Sequence, residues 1–195
     1  MIIIGLTGSI GMGKTTVAGI LKKLGYPVYS ADEAVHHVLK KGGKAVKAVA
    51  KIFPESLKRG AIDRKILGKI VFGQPRKLRQ LEKIIHPLLR DIERKFLQKA
   101  RKKKAPAAIL EIPLLFETGA DKRCDITLCV TAPAAVQRAR VLARKGMTKE
   151  KLKAILARQM SNKEKCAKAD YVVPTGTSRR DTEKFLRKLF DELLS

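Results

Sequence analysis

Apolar residues along this chain fall into two patterns: short unbroken runs, and longer stretches in which they recur every third or fourth position. The runs at residues 2–6, 27–29, 107–112, 125–130 and 171–173 read as strands. Val17, Ile20, Leu21 and Leu24 share one face of a helix expected over residues 14–24, with Gly25 as its stop. Strand and helix alternate, which implies an α/β fold with a parallel five-stranded sheet covered by helices. The segment between the second and third strands is too long for one crossover. Gly42-Gly43, Phe53-Pro54, Gly73-Gln74-Pro75 and His86-Pro87 divide it into several helices, with His86-Pro87 as a helix end or turn. Asp63 is placed to cap one of these, with Ile66, Leu67, Ile70 and Val71 on its apolar face, and Leu78, Leu81, Ile84 and Ile85 repeat the pattern in the next. A second helical stretch, from about 134 to 167, is basic and broken near Gly146. The last helix, after Asp181, is expected to turn Phe185, Leu189, Leu193 and Leu194 to the sheet.

The first strand leads into Gly8-Ser9-Ile10-Gly11-Met12-Gly13-Lys14-Thr15, a complete G-x-x-x-x-G-K-[ST] phosphate loop opening a helix. Glycines let successive backbone N–H groups turn inward, and the helix behind them points its positive end at an anion. Lys14 then reaches the β- and γ-phosphates, and the Thr15 hydroxyl holds Mg²⁺. The alternative, a glycine-rich turn that binds nothing, sits poorly with a match placed between strand and helix. The reading is a three-layer P-loop NTPase core that binds a nucleoside triphosphate, with a helical substrate-binding insertion over 32–104 and a helical lid over about 134–167. Such a lid would be mobile.

Five further positions carry candidate chemistry. Asp32 follows the second strand, at the carboxyl edge of the sheet where ligands gather in open parallel folds. It can accept or orient the proton of an attacking hydroxyl, or cap the helix holding Val35, Val38 and Leu39. Glu111 ends the third strand, where an acid can bind Mg²⁺ directly or through water, or cap the segment Leu114-Leu115-Phe116. Arg140 and Arg144 stand four apart in the basic stretch, spaced to clamp transferring phosphate on one helix face or to face water. Arg64, beside Asp63, has the same two readings. His36, His37 and His86 lack ligand-like spacing with cysteines or acids, so no histidine metal site is read.

Charge changes the picture of partners. The 195 residues carry 43 Lys plus Arg against 18 Asp plus Glu, a net charge of +25 that attracts polyanions. The basic residues are spread along the chain, with one dense block at Arg101-Lys102-Lys103-Lys104, and aromatics make up only 5% with no interleaved stacking pattern. A cationic surface handling anionic small molecules is the preferred reading over a nucleic-acid partner. No apolar stretch approaches the ~20 residues of a membrane span, and the N-terminal run has no basic segment before it, unlike a signal peptide. Cys124, Cys129 and Cys166 form no Cys-x-x-Cys pair, so neither disulfide framework nor zinc site is indicated and a reducing cytoplasm fits.

Together these segments resemble the dephospho-coenzyme A kinase family nearly end to end. The opening strand and loop with the Gly5-Leu6-Thr7-Gly8 lead-in, Ser30-Ala31-Asp32, Ile62-Asp63-Arg64 with Val71-Phe72, Leu81 to Pro87, Ile112-Pro113-Leu114-Leu115-Phe116-Glu117 and Arg140 to Gly146 look like family motifs in family order, followed by Gln159, Lys165 and Ala169-Asp170-Tyr171. The resemblance implies ATP-dependent phosphorylation of the ribose 3′-hydroxyl of dephospho-coenzyme A, the last step of coenzyme A synthesis. It implies Lys14, Asp32 and Arg140 as catalytic residues, and Gly8, Gly11, Met12, Gly13, Lys14, Thr15, Thr16, Val17 and Arg144 as ATP contacts. Asp32, Arg64, His86 and Leu115 would bind substrate, and Thr15 and Glu111 would bind Mg²⁺. ATP and dephospho-coenzyme A are the implied partners of a cytoplasmic monomer or weak oligomer, with no membrane and no specific nucleic acid. Ser30 stands where the family has a first acid, Glu111 where it has Asp, Lys145 where an acid is common, and Pro174-Thr175 where it has Asp-Asn. Another P-loop small-molecule or nucleotide kinase, or a nucleic-acid-binding ATPase, remains the alternative.

Overall fold

A computed structural model describes residues 1–157 and 159–195. It forms two compact units, one of Met1–Tyr29 with Ala100–Ser195 and the other of Ser30–Lys99. The first unit is built on strands β1 (Ile2–Thr7), β2 (Val28–Ser30), β5 (Ala107–Glu111), β6 (Ile126–Thr131) and β7 (Tyr171–Pro174), in the sheet order β2-β5-β1-β6-β7. β1 is central and runs parallel to both neighbours, pairing Leu6 with Glu111 on one side and Thr7 with Cys129 on the other. Beyond it β6 pairs parallel with β7. The chain leaves β1 toward β2 and returns later to β6 on the opposite side, so the loop after β1 opens at the point where strand order reverses.

Helices α1 (Lys14–Lys23) and α9 (Arg179–Leu194) belong to this unit, and Ile4, Leu6, Val17, Ile20, Leu21, Leu128, Leu186 and Phe190 form its core. α1 ends as its sequence implies, with Gly25 at φ 92° just past it. α9 opens on a capping box between Ser178 and Asp181. Its buried face is Thr182, Leu186, Leu189 and Phe190, while Phe185 is exposed. Leu189 is buried and Leu193 and Leu194 pack against the core as expected, so only Phe185 is corrected, with Leu186 in its place. The ring of Phe190 packs 4.6 Å from that of Tyr26, centroid to centroid. The basic stretch resolves into α6 (Ala134–Leu142), α7 (Lys149–Leu156) and α8 (Asn162–Lys168), all in the first unit.

The second unit holds α2 (Ala31–Leu39), α3 (Val46–Ile52), a small hairpin of β3 (Leu57–Lys58) and β4 (Ala61–Ile62), α4 (Arg64–Val71) and most of α5 (Pro75–Lys102). Val38, Leu39, Val49, Phe53, Ile62, Leu67, Leu81 and Ile85 make its separate core. Two features differ from the sequence expectation. The hairpin turns through Arg59 (φ 48°) and Gly60 (φ 79°), a pair of left-handed residues that suits the twist of a two-residue β-turn. α5 runs straight through Pro87 for 28 residues, so His86-Pro87 is no break. An interior proline costs about 3 kcal/mol through its missing N–H and its ring clash. Leu81 and Ile85 are buried, and Ile84, Leu88, Leu89 and Ile92 pack against the same core. At about 1.5–3 kcal/mol per fully buried side chain, that stripe outweighs the proline.

Candidate active site

The loop between β1 and α1 owes its path to glycine. Gly8, Gly11 and Gly13 have φ of 144°, 78° and 88°, and each is closely walled. A Cβ at Gly8 would sit 2.5 Å from Val130 Cγ2, and one at Gly11 would sit 2.5 Å from Val141 Cγ2. Behind the loop α1 begins on Gly13 with no side-chain cap and no acidic residue in its first turn. Its first amides and the positive end of its dipole are therefore left for an anion. The Lys14 ammonium folds back over the loop and donates to the carbonyls of Gly8 and Ser9. Thr15 and Thr16 are exposed in the first turn of α1.

Other loop residues act as its frame. Met12 is buried: its N–H donates to the Ser9 carbonyl (3.2 Å), its sulfur accepts the Ala132 N–H, and its carbonyl accepts the Thr175 hydroxyl at 2.8 Å. The Val17 side chain is wholly in the core and its N–H donates to the Gly13 carbonyl. The side chains of Met12 and Val17 thus support the loop from behind. Leu115 has no exposed surface and packs over Gly5, where an added Cβ would lie 2.9 Å from Leu115 Cδ2, so its side chain belongs to the core.

Arg140 lies on α6 and donates to the Thr175 carbonyl at 2.7 Å, one residue's breadth from Met12 and Gly13 of the loop. Arg144 does not share its helix face: α6 ends at Leu142, and Arg144 is exposed in the turn beyond. Glu111 closes β5 opposite Leu6, two residues before the loop begins, and is half-buried. Among the described residues no group of three or more His, Cys, Asp or Glu side chains could hold a metal by itself. The Thr15 hydroxyl and Glu111 carboxylate are nonetheless hard oxygen donors of the kind Mg²⁺ takes alongside phosphate oxygens.

In the second unit the cap of α2 is Ser30, whose hydroxyl accepts the Glu33 N–H at 3.4 Å. The capping alternative for Asp32 is therefore overturned. Asp32 is exposed in the first turn, and among the described residues its carboxylate has no hydrogen-bond or ion-pair partner. Asp63 caps α4 as the pattern implies, and the amides of Ile66 and Lys65 hold its carboxyl below the usual range. Arg64 opens α4 and His86 lies mid-way along α5, both exposed.

Sequence reasoning missed one buried ion pair. Lys165 on α8 has no exposed surface, and its ammonium donates to the Pro113 carbonyl (2.7 Å) and to Glu117 (2.9 Å). The Thr7 hydroxyl donates to the same Pro113 carbonyl. The two partners are separated by 48 residues, so no local spacing could reveal them. Nearby, the thiols of Cys129 and Cys166 are 3.6 Å apart, and burial, then Cys166, pushes the Cys129 thiol up to about 12.

The dephospho-CoA kinase family model matches residues 2–181 of the chain. The chain belongs to the dephospho-CoA kinase family. A dephospho-CoA kinase from Brucella melitensis is 48% identical over 193 residues, covering 99% of this chain and 96% of its own. The solved dephospho-CoA kinase from Campylobacter jejuni is 32% identical, with a TM-score of 0.72 over 98% of this chain and 96% of that one. A solved protein from Thermus thermophilus is 37% identical, with a TM-score of 0.86 over 100% and 98% of the two chains. As a member of the dephospho-CoA kinase family the chain is a phosphotransferase of coenzyme A synthesis with a P-loop kinase core. Among the described residues no helix is long and apolar enough to cross a membrane.

Proposed function

We infer that this chain transfers the γ-phosphoryl group of ATP to the ribose 3′-hydroxyl of dephospho-CoA in a reducing cytoplasm. The observation that carries the reading is the uncapped, acid-free start of α1 behind a loop that only glycine can follow, in a chain matched from end to end by dephospho-CoA kinases. Lys14 exchanges the carbonyls of Gly8 and Ser9 for the β- and γ-phosphates, and the amides from Gly13 to Thr16 hold the remaining oxygens. Arg140 turns from the Thr175 carbonyl to the transferring group and neutralises its spreading charge. Thr15 and Glu111 would hold Mg²⁺, which supplies further neutralisation between the phosphates when bound.

Asp32 orients the acceptor hydroxyl and takes its proton. Its exposure and its release from capping duty support that role. Unit Ser30–Lys99 holds the substrate, with Arg64 and His86 as polar contacts, and the helices over 134–167 act as a lid that excludes water. The test is ADP release with dephospho-CoA, AMP and nucleosides offered in parallel. Rapid turnover with dephospho-CoA alone is expected; preference for AMP or a nucleoside would assign the chain to another kinase. Asp32→Asn is expected to lower turnover by ~10²-fold while ATP still binds, and unchanged turnover would remove Asp32 from the mechanism.

A further inference from the structure

The phosphate loop is gripped from outside by amide side chains. The Ser9 N–H donates to Asn162 Oδ1 at 3.1 Å, and the Ile10 N–H donates to Gln159 Oε1 at 3.2 Å. From α6, Gln137 Nε2 donates to the Ile10 carbonyl at 2.8 Å. The first half of the loop thus spends its amides on the protein, whereas the second half, at the start of α1, keeps its own for an anion. Asn162 is itself fixed. Its Nδ2 donates to Thr131 Oγ1 at 2.9 Å, it opens α8 within the Ser161–Glu164 capping box, and the buried Lys165 ties the same helix to Glu117 and Pro113. The Met160 N–H also donates to Glu117, at 3.0 Å.

We propose that Asn162 and Gln159 are positioning residues of the phosphate loop: their side-chain carbonyls hold Ser9 and Ile10 so that seating of the segment before and within α8 sets the loop shape that receives the triphosphate. The proposal rests on the kinase reading only for the identity of the triphosphate. Removing either carbonyl leaves an enclosed loop amide unpaired, and the loop then reaches its binding shape less often. The effect falls on ATP and not on the acceptor substrate.

The experiment uses the full chain and its Asn162→Ala, Gln159→Ala and Thr131→Val variants, with steady-state kinetics in both substrates, titration with a fluorescent ATP analogue, and melting curves. Each alanine variant is expected to raise KM for ATP and weaken the analogue about tenfold, with KM for dephospho-CoA within about twofold of wild type. Thr131→Val removes the Asn162 donor contact but spares the carbonyl, so it is expected to lower Tm at most and leave ATP affinity unchanged. Equal changes in both KM values, unchanged ATP affinity in the alanine variants, or an equal ATP defect in Thr131→Val overturns the proposal. Wild-type protein inactive on dephospho-CoA would instead overturn the assigned reaction, and the titration would still decide the role of Asn162 and Gln159.

Discussion

Lys165 has no exposed surface, so its ammonium depends on the Pro113 carbonyl and the two carboxylate oxygens of Glu117 beside it. Coulombic attraction across such a pair roughly balances desolvation, but deleting one partner strands the other charge at a cost of about 3–5 kcal/mol. Lys165→Met is expected to fall in that range by urea unfolding, with part recovered in the double variant carrying Glu117→Gln. A milder case is Asp170, whose carboxylate accepts the Thr127 N–H and hydroxyl at 2.8 and 2.7 Å, bonds that hold its pKa below the usual value, the hydroxyl foremost. A depressed folded pKa adds stability that is complete above the unfolded value and lost as pH falls through the folded one. The stability gap between wild type and Asp170→Asn is therefore expected to be constant above about pH 5 and to close in acid, as denaturation curves at several pH values would reveal. At this scale the sequence displays what is local. Lys14, the loop glycines and the Asp63 cap each act within a few residues of themselves, whereas Lys165, Gln159 and Asn162 meet partners more than forty residues away.

Elements were legible wherever periodicity and burial agree. All five sheet strands and α1 lie within a residue or so of their sequence reading, because buried parallel strands leave an unbroken apolar run. α5 and the β3–β4 hairpin were not legible, for opposite reasons. Pro87 signals a break that core packing overrides, and the two-residue strands are too short to show alternation, their sole cue being the left-handed turn at Arg59-Gly60. If Pro87 is tolerated at a cost, then Pro87→Ala should regain a backbone hydrogen bond and raise stability by about 1–3 kcal/mol. A loss of stability would mean that the packing of the proline ring itself supports the core around Leu81 and Ile85. Arg144 shows a third kind of miss: its four-residue spacing from Arg140 was real, but the helix that would align them stops at Leu142.

For the molecule entire, a charge of +25 is set against ion pairs that, on α5 and α9, join near neighbours on exposed helix faces, such as Asp91 with Arg94 and Lys95, and Glu183 with Arg187. Such pairs contribute little, and the surplus positive charge repels itself. Thermal stability is therefore expected to rise between about 10 mM and 300 mM salt, as the screening length falls from about 30 Å toward about 6 Å. A melting temperature that fell over that range would show that attractive pairs dominate. The sheet, finally, ends in a three-residue strand on one side and, on the other, in a four-residue strand closed by Pro174. A foreign strand seeking to extend it finds few open donors and acceptors at either margin, so crowding many copies together should leave them dispersed rather than stitched into fibrils.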